Sequence, residues 1–232
     1  MYIISFPESG GTWLSLMTAW MIGADFDVYE LRYKRTRPAW AFLDELKPHD
    51  NLVRITYQSV LGKVYKTHVL PSKLKDKSTR HPAVYLYRNP MDLLYNWWLK
   101  HKKKHPALYG KMSLADFAAW KGPEWAAHVT AWHGHARLQD MICVEDVVSD
   151  TQDEMMVLAE TLSEAGTSDS KEVWIPTEQA DEAVLKFRNA LTKPSVGRGI
   201  EAFRKNSKAL NVLCKHCWKT MELLGYSETA TA

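Results

Sequence analysis

The sequence predicts an α/β fold in which a central parallel β-sheet is flanked by helices. Short β-rich segments alternate with helix-forming segments along the chain, and such alternation is typical of parallel sheets. The 232 residues, 46% of them hydrophobic and 25% charged, have the composition of a globular protein with a substantial core. We therefore expect a single domain over residues 1–232. The same composition excludes disordered, collagen-like and disulfide-stapled chains.

The elements follow from local propensity and from the residues that begin or end helices. The predicted strands are Tyr2–Phe6, Lys63–His68, Ala83–Tyr87 and Met141–Val144. The predicted helices are Thr12–Ile22, Pro90–Lys104, Ser113–Trp120, Glu124–Leu138, Thr151–Glu164, Glu178–Leu191 and Ile200–Leu224. Pro90 suits a first helical turn, Ser113 suits an N-cap, and Gly225 suits a helix end.

Several broad classes of function are disfavoured by simple sequence features. A net charge of +3 is too small to require a nucleic-acid partner. No apolar run approaches the roughly 20 residues of a membrane span, and the first residues lack the pattern of a signal peptide. The odd number of cysteines suits a reducing compartment. We therefore expect a cytoplasmic protein without a membrane span.

Two groups of residues have the types and spacings of metal ligands. Cys214, His216 and Cys217 form one, and His128, His133 and His135 form the other. A zinc site needs four ligands, and the sequence contains no second cysteine pair. Helices that pack these side chains into the core or leave them at the surface are the favoured interpretation, and no metal is expected.

Charge is unevenly distributed along the chain. Acidic side chains concentrate in residues 139–182 and basic ones in residues 186–219, so the basic block is a candidate anion site. The alternative is two solvated helical faces of opposite sign. The run Lys100–His105 could likewise recruit an anionic acceptor or partner, although a solvated helix end is the favoured interpretation.

The segment Glu8–Thr12 connects the first predicted strand to the first predicted helix through two glycines. Unpaired backbone N–H groups and the positive end of the helix dipole would surround a small concavity there, which is suited to an anion. The loop lacks the Gly-Lys-Ser/Thr ending of an ATP- or GTP-binding loop, which disfavours a kinase. The alternative is a tight turn that needs glycine for its geometry alone.

Two more segments fall at the carboxyl ends of predicted strands, where open α/β sheets bind ligands. Arg88 and Asn96, eight residues apart, could grip one phosphate together; the alternative is that Arg88 pairs with Asp92 and that the asparagine caps a helix. Lys66 and His68 alternate along a strand end and project to one side. A lysine beside a histidine favours the neutral imidazole, which can accept a proton.

Short motifs in a fixed order cover nearly the whole chain. They are Phe6–Trp13, Lys66–His68 with Leu70 and Pro71, Arg88–Asp92, Gly122–Trp125 with His128, Val129 and Trp132, Glu145 with Asp146, and Leu224–Tyr226. This ordered set resembles the signature of the cytosolic-type sulfotransferases. Those enzymes use 3′-phosphoadenosine 5′-phosphosulfate (PAPS) as donor and release 3′-phosphoadenosine 5′-phosphate (PAP).

The resemblance implies a three-layer, P-loop-like α/β fold. It also implies metal-free, in-line transfer of a sulfuryl group to a hydroxyl or amine of a small-molecule or carbohydrate acceptor. The implied catalytic residues are His68 as the base and Lys66 beside the transferred group. The implied donor-binding residues are Ser9, Gly10, Gly11 and Thr12 for the 5′-phosphosulfate, Trp13 for the adenine, and Arg88, Asn96, Arg198 and Gly199 for the 3′-phosphate.

The chain departs from the family pattern most clearly at Glu8, where family members usually carry a basic residue. At about 4 Å and an effective dielectric near 20, a carboxylate facing one donor charge would cost roughly 4 kcal/mol. Either Glu8 turns away and Lys66 and backbone N–H groups bind the donor, or activity is weak or lost. The alternative function is therefore a non-catalytic protein that binds PAP or PAPS.

Overall fold

The computed structural model describes residues 1–21, 25–28, 63–74, 82–164 and 196–231. Its strands are β1 (Tyr2–Ser5), β2 (Asp25–Val28), β3 (Lys63–Thr67), β4 (Ala83–Tyr87) and β5 (Leu138–Cys143). Its helices are α1 (Gly11–Met21), α2 (Pro90–Lys104), α3 (Pro106–Tyr109), α4 (Leu114–Trp132), α5 (Val144–Ser149), α6 (Thr151–Glu164), α7 (Arg198–Arg204), α8 (Ser207–Leu223) and α9 (Ser227–Thr231).

In these described residues the strands form one five-stranded sheet in the order β2-β3-β1-β4-β5, and every neighbouring pair is parallel. Ile4 of β1 pairs with Thr67 of β3 on one side and with Tyr85 of β4 on the other. The carboxyl ends of these three central strands therefore meet at one edge of the sheet. The chain passes from one side of β1 to the other between β3 and β4, which makes this edge the expected ligand site of an open α/β sheet.

Alternate residues of the central strands are buried on opposite faces of the sheet, as the period of a β-strand requires. On one face, Ile3 and Val84 belong to a buried cluster with side chains of α1, α5 and α6. On the other face, Ile4 and Tyr85 belong to a second cluster with side chains of α2, α4 and α8. The predicted three-layer α/β fold is confirmed.

Helix α4 differs from the prediction because it continues through Pro123 as one 19-residue helix. The sequence predicted two helices, Ser113–Trp120 and Glu124–Leu138; their separation is wrong, and so is the end at Leu138, because the helix ends at Trp132 and Leu138 begins β5. The apolar face stays in phase across the proline, with Phe117 on one side and Trp125 and Trp132 on the other, all buried. Gly122 is buried against α8, where an added Cβ would lie 3.0 Å from the Cys217 sulfur. Tertiary packing therefore overrides the local signal.

The carboxyl-terminal part also differs from the single predicted helix Ile200–Leu224, because the structure has two helices, α7 and α8. Asn206 separates them, and its side chain accepts a hydrogen bond from the Ala209 N–H as the N-cap of α8. Gly225, with φ 77°, follows the end of α8 as predicted. The predicted helix Glu178–Leu191 lies outside the described residues.

Three further differences concern short elements. The edge strand β2 was not predicted, β5 begins three residues before the predicted Met141, and Val144 begins α5 instead of ending a strand. None of the described helices is long and apolar enough to cross a lipid bilayer. Nor do the described residues contain a group of three or more His, Cys, Asp or Glu side chains that could hold a metal ion.

Candidate active site

The loop between β1 and α1 folds back on itself and leads directly into the helix. The Ser9 N–H donates to the Phe6 carbonyl, and the Trp13 and Leu14 N–H groups both donate to the Gly10 carbonyl. Gly10 has φ 83°, a conformation that glycine adopts without strain. The first N–H groups of α1 have no acceptor inside the helix, so the loop surrounds the positive end of the helix dipole.

Gly11, the first residue of α1, lies where the helix meets the ends of two strands. A Cβ at this position would collide with the Ser5 hydroxyl at the end of β1 and would lie 3.6 Å from Cε of Lys66 on β3. Only glycine fits this approach. The half-buried Lys66 side chain therefore passes beside the amino terminus of α1, where its positive charge adds to the positive potential of the helix end.

Two polar atoms of this loop and helix are buried without a hydrogen-bond partner in the described part of the chain. They are the Ser9 hydroxyl and the Trp13 indole N–H. An unsatisfied buried polar group costs about 1–3 kcal/mol, and an oxygen-rich ligand would remove that cost. The loop residues are therefore suited to an anion, with the buried Ser9 and the exposed Thr12 on either side of the two glycines. Trp13 itself lies in the core cluster beside α1.

His68 follows β3, and its ring is held by the end of β1. Its Nδ1 lies 2.5 Å from the Ser5 carbonyl oxygen. A carbonyl can only accept, so Nδ1 carries the hydrogen, and in the neutral ring Nε2 keeps its lone pair. The Ser5 hydroxyl lies 3.4 Å from Nδ1 and also lies against Gly11, so Ser5 connects this imidazole to the amino terminus of α1. The geometry is suited to a general base beside an anion site.

The backbone at and after His68 is fixed by helix α4. His128 donates from Nε2 to the His68 carbonyl over 2.9 Å, and its Nδ1 lies 2.7 Å from the Tyr85 hydroxyl, which donates to it. The Trp132 indole N–H donates to the Val69 carbonyl over 3.0 Å. His128 is therefore a buried positioning residue, and its two ring nitrogens are committed to hydrogen bonds rather than to a metal.

Arg88 follows β4 and contacts the glycine loop from the opposite side. Its Nη1 donates to the Glu8 carbonyl over 3.2 Å, and the residue is buried, with a relative exposure of 3%. Burial lowers the pKa of the guanidinium, and the charges of Asp92 and Glu145 act against that shift. A guanidinium stays protonated under all ordinary conditions, so Arg88 places a buried positive charge beside the loop.

Asp92 joins the start of α2 to the start of α7. Its two carboxylate oxygens accept hydrogen bonds from the Gly197 and Gly199 N–H groups, each at 2.5 Å. A Cβ on Gly199 would collide with the backbone of Met91 and Asp92. The segment that precedes α7 is therefore seated on α2, one turn from Arg88. The buried Asp92 carboxylate accepts hydrogen bonds from these two N–H groups and does not face the candidate anion site as an unpaired carboxylate.

Asn96 and Arg198 are brought into the same region by Asp92. The Asn96 amide donates to the Asp92 carbonyl over 2.7 Å, so this residue lies inside α2 and does not cap it. Asn89 is the cap instead, accepting a hydrogen bond from the Met91 N–H. Arg198, the first residue of α7, is exposed between the two glycines that Asp92 holds.

Glu8 adopts a left-handed backbone conformation with φ 67°, and among the described residues no other non-glycine residue has a positive φ. Such a conformation costs about 1 kcal/mol for a residue with a Cβ. The Glu8 carboxylate forms an ion pair with Lys100 of α2, with 2.5 Å between Oε1 and Nζ. The carboxylate therefore has a cation as its immediate neighbour.

Glu145 connects the ends of β4 and β5 to the carboxyl-terminal helices. It accepts hydrogen bonds from the Asn89 N–H, the Tyr226 hydroxyl and the Cys143 thiol. Burial raises the pKa of the Cys143 thiol to about 12 and, together with the Glu145 charge, raises the pKa of Tyr226. Both groups therefore stay protonated and donate to Glu145. Glu145 in turn accepts from the N–H of Asn89, the N-cap of α2.

Sequence reasoning did not identify three residues that shape this site: Ser5, Asp92 as a support for residues 197–199, and Lys100 as the partner of Glu8. Ser5 could have been found from its position at the end of β1, directly before the glycine loop. Asp92 and Lys100 act across 105 and 92 residues of sequence, and no local pattern indicates such contacts.

Comparison with known proteins places these features in a family. A family model described as the sulfotransferase domain matches residues 1–173. No curated protein sequence matches the chain significantly. Among solved structures, mouse sulfotransferase SULT7A1 complexed with PAP is similar at 17% identity and a TM-score of 0.58, over 97% of this chain and 88% of that one.

A second similar structure is retinol dehydratase in complex with androsterone and inactive cofactor PAP. It has 15% identity and a TM-score of 0.54, over 93% of this chain and 79% of that one. At these identities the likeness concerns the fold alone, whereas the family model covers most of the chain. The chain belongs to the sulfotransferase domain family.

Proposed function

We propose that this protein is a sulfotransferase that moves the sulfuryl group of PAPS to a hydroxyl or amine of an acceptor, with His68 as the general base. The observation that carries the proposal is the hydrogen bond from His68 Nδ1 to the carbonyl of Ser5, the residue whose side chain lies against Gly11 at the start of α1. With the hydrogen on Nδ1, Nε2 would be the atom that takes up the proton, near the loop that would bind the donor anion.

The donor-binding residues that the resemblance implies fit a ligand with phosphate groups at two ends. Ser9, Gly10, Gly11 and Thr12 would hold the 5′-phosphosulfate through N–H groups and hydroxyls at the start of α1. The buried Ser9 hydroxyl lacks a partner in the described residues and would gain one. In this proposal the adenine lies against Trp13.

The 3′-phosphate would be held at the other end by the buried guanidinium of Arg88, with Asn96, Arg198 and Gly199 beside it. Support comes from Asp92, which seats residues 197–199 on the same helix that follows Arg88. Arginine and backbone N–H groups are the usual phosphate donors in proteins. Both PAP-bound neighbours have this fold, which is consistent with such a ligand.

The reaction needs a proton acceptor beside the attacking hydroxyl or amine, and a positive charge beside the oxygen that leaves with PAP. His68 Nε2 would take the proton of the acceptor hydroxyl or amine as that atom forms its bond to sulfur. The bond between sulfur and the bridging oxygen breaks, and PAP leaves with the electron pair. Lys66 would stabilise the negative charge that builds on the leaving oxygen. The roles proposed for His68 and Lys66 require no metal ion.

The acceptor in this proposal is a small molecule or a carbohydrate, and the protein acts as a single-domain cytoplasmic enzyme. A similar structure contains androsterone, an alcohol of moderate size. A non-catalytic PAP-binding protein remains the second candidate, because Glu8 introduces an acidic side chain into the loop.

Two measurements test the proposal. Titration calorimetry compares PAP with ATP plus magnesium, and the proposal predicts that PAP binds at least tenfold more tightly. A transfer screen with labelled sulfate then covers phenols, alcohols, amines and sugars. Tight PAP binding together with transfer supports the enzyme, tight binding without transfer supports the second candidate, and equal or weaker binding of PAP contradicts both.

A further inference from the structure

Lys100 and Glu8 form an ion pair whose place in the fold points to a role in the donor site. Glu8 belongs to the glycine loop, and its own carbonyl is the acceptor for Arg88. Lys100 lies in the third turn of α2, eleven residues after the N-cap Asn89. The pair therefore connects the loop to the same helix whose first turn holds residues 197–199.

The ion pair is supported by a second contact between the same two segments. Trp97, three residues before Lys100 and on a neighbouring part of the helix surface, packs edge-to-face on Phe6 with 5.6 Å between ring centroids. Phe6 is buried and begins the loop. With both Phe6 and Glu8 contacting α2, the position of Lys100 relative to the loop is defined by packing as well as by charge.

The charges also have to balance if this loop binds an anion. A carboxylate in the loop would repel the phosphosulfate, and a neighbouring ammonium cancels that repulsion. A lysine ammonium has three N–H donors, and Glu8 Oε1 accepts from the Lys100 Nζ, whose side chain is 56% exposed. The N–H groups of Lys100 that are not directed at Glu8 can donate hydrogen bonds to a ligand oxygen.

We propose that Lys100, held by Glu8, is a donor-binding residue that supplies the 5′ end of the nucleotide with the positive charge that the loop itself lacks. The Glu8 carboxylate holds the ammonium beside the loop, and the ammonium binds the anion. This inference rests on the proposed function, since it names the residue that binds one end of PAP.

The test compares nucleotides that differ at the 5′ end. We expect Lys100→Met to weaken binding of PAP about tenfold in titration calorimetry at low salt, because a hydrogen-bonded charge is lost. Binding of adenosine 3′-monophosphate, which has no 5′-phosphate, should change less than twofold. Lys103→Met is the matched control, since Lys103 is an exposed lysine on the same helix, and it should leave PAP binding unchanged.

A rescue variant separates this role from a general effect of basic charge. Glu8→Lys combined with Lys100→Met moves the lysine from the helix to the loop, and we expect it to recover most of the lost PAP affinity. Thermal melting of each variant establishes that it is folded. If melting shows that Lys100→Met is unfolded, Lys100→Gln takes its place.

Three results would overturn the inference while leaving the proposed function intact. They are unchanged PAP binding in the Lys100 variant, an equal loss for PAP and adenosine 3′-monophosphate, and an equal loss in the Lys103 control. If the unmodified protein does not prefer PAP over ATP, the proposed function and this inference both fail.

Discussion

Arg88 donates a hydrogen bond from Nη1 to the carbonyl oxygen of Glu8, joining the end of β4 to the glycine loop that follows β1. The two residues are 80 positions apart in the sequence. Their contact brings the candidate 3′-phosphate residues and the candidate phosphosulfate loop into one site. Because Arg88 is nearly fully buried, its orientation is determined by the surrounding structure rather than by solvent.

Arg88→Met should weaken PAP binding by about 10- to 100-fold, since a hydrogen bond to a charged group contributes about 1.5–3 kcal/mol. Methionine keeps much of the apolar stem and removes the charge. Titration calorimetry with PAP and with 5′-AMP, which lacks the 3′-phosphate, measures the effect. The loss should be at least fivefold smaller for 5′-AMP; an equal loss for both nucleotides would mean that Arg88 only shapes the loop through Glu8.

The Asp92→Asn variant tests whether Asp92 affects PAP binding by supporting residues 197–199 or only through its negative charge. Removal of a negative charge near an anion site should tighten PAP binding if charge alone matters. The asparagine NH₂ would instead face one of the two N–H groups from Gly197 and Gly199, so we expect these residues to leave α2. Chemical denaturation should show a loss of about 1–3 kcal/mol in unfolding free energy. Calorimetry should show weaker PAP binding, and tighter binding would refute the supporting role of Asp92.

His68→Ala should lower the rate of sulfuryl transfer by about 10²–10⁴-fold, the usual contribution of a general base. PAP binding should change less than threefold, because the imidazole is assigned to the acceptor proton and not to the nucleotide. The His133→Ala variant is a matched control, since His133 is an exposed histidine beyond α4. Near-normal turnover in the His68 variant would remove this residue from the mechanism.

Pro123→Ala tests the unusual continuity of α4. An exposed proline inside a helix costs up to about 3 kcal/mol relative to alanine, because it lacks the N–H and its ring crowds the preceding turn. The alanine variant should therefore melt at a higher temperature. Gly122→Ala, one residue earlier, should lower the melting temperature instead, since its Cβ would press on the Cys217 sulfur. If the proline variant melts lower, the ring contributes packing that this account omits.

Much of the candidate site could be assembled from sequence because its residues lie at the ends of locally recognisable elements. The glycine loop, Lys66, His68 and Arg88 each follow a short apolar strand, and parallel strands collect their carboxyl ends at one edge. Helix α2 was predicted with its observed bounds, Pro90–Lys104, because proline begins it and basic residues end it. The residues that these elements present to the edge could then be named without coordinates.

The remaining features depend on contacts between distant segments. Asp92 was considered only as a partner of Arg88, and the hydrogen bonds that its carboxylate accepts from the N–H groups of Gly197 and Gly199 were not predicted. The edge strand Asp25–Val28 contains two aspartates, which have low strand propensity, and its pairing with β3 defines it. Tertiary packing determines such features, and local propensity does not reveal them.

The most direct test of the central claim is a crystal structure of the protein bound to PAP. The account predicts the 3′-phosphate within hydrogen-bond distance of the Arg88 guanidinium and the 5′-phosphate on the N–H groups of residues 9–12. The 5′-phosphate should also lie near Lys66 and the His68 ring. Nucleotide density at any other position, or a 3′-phosphate far from Arg88, would contradict it.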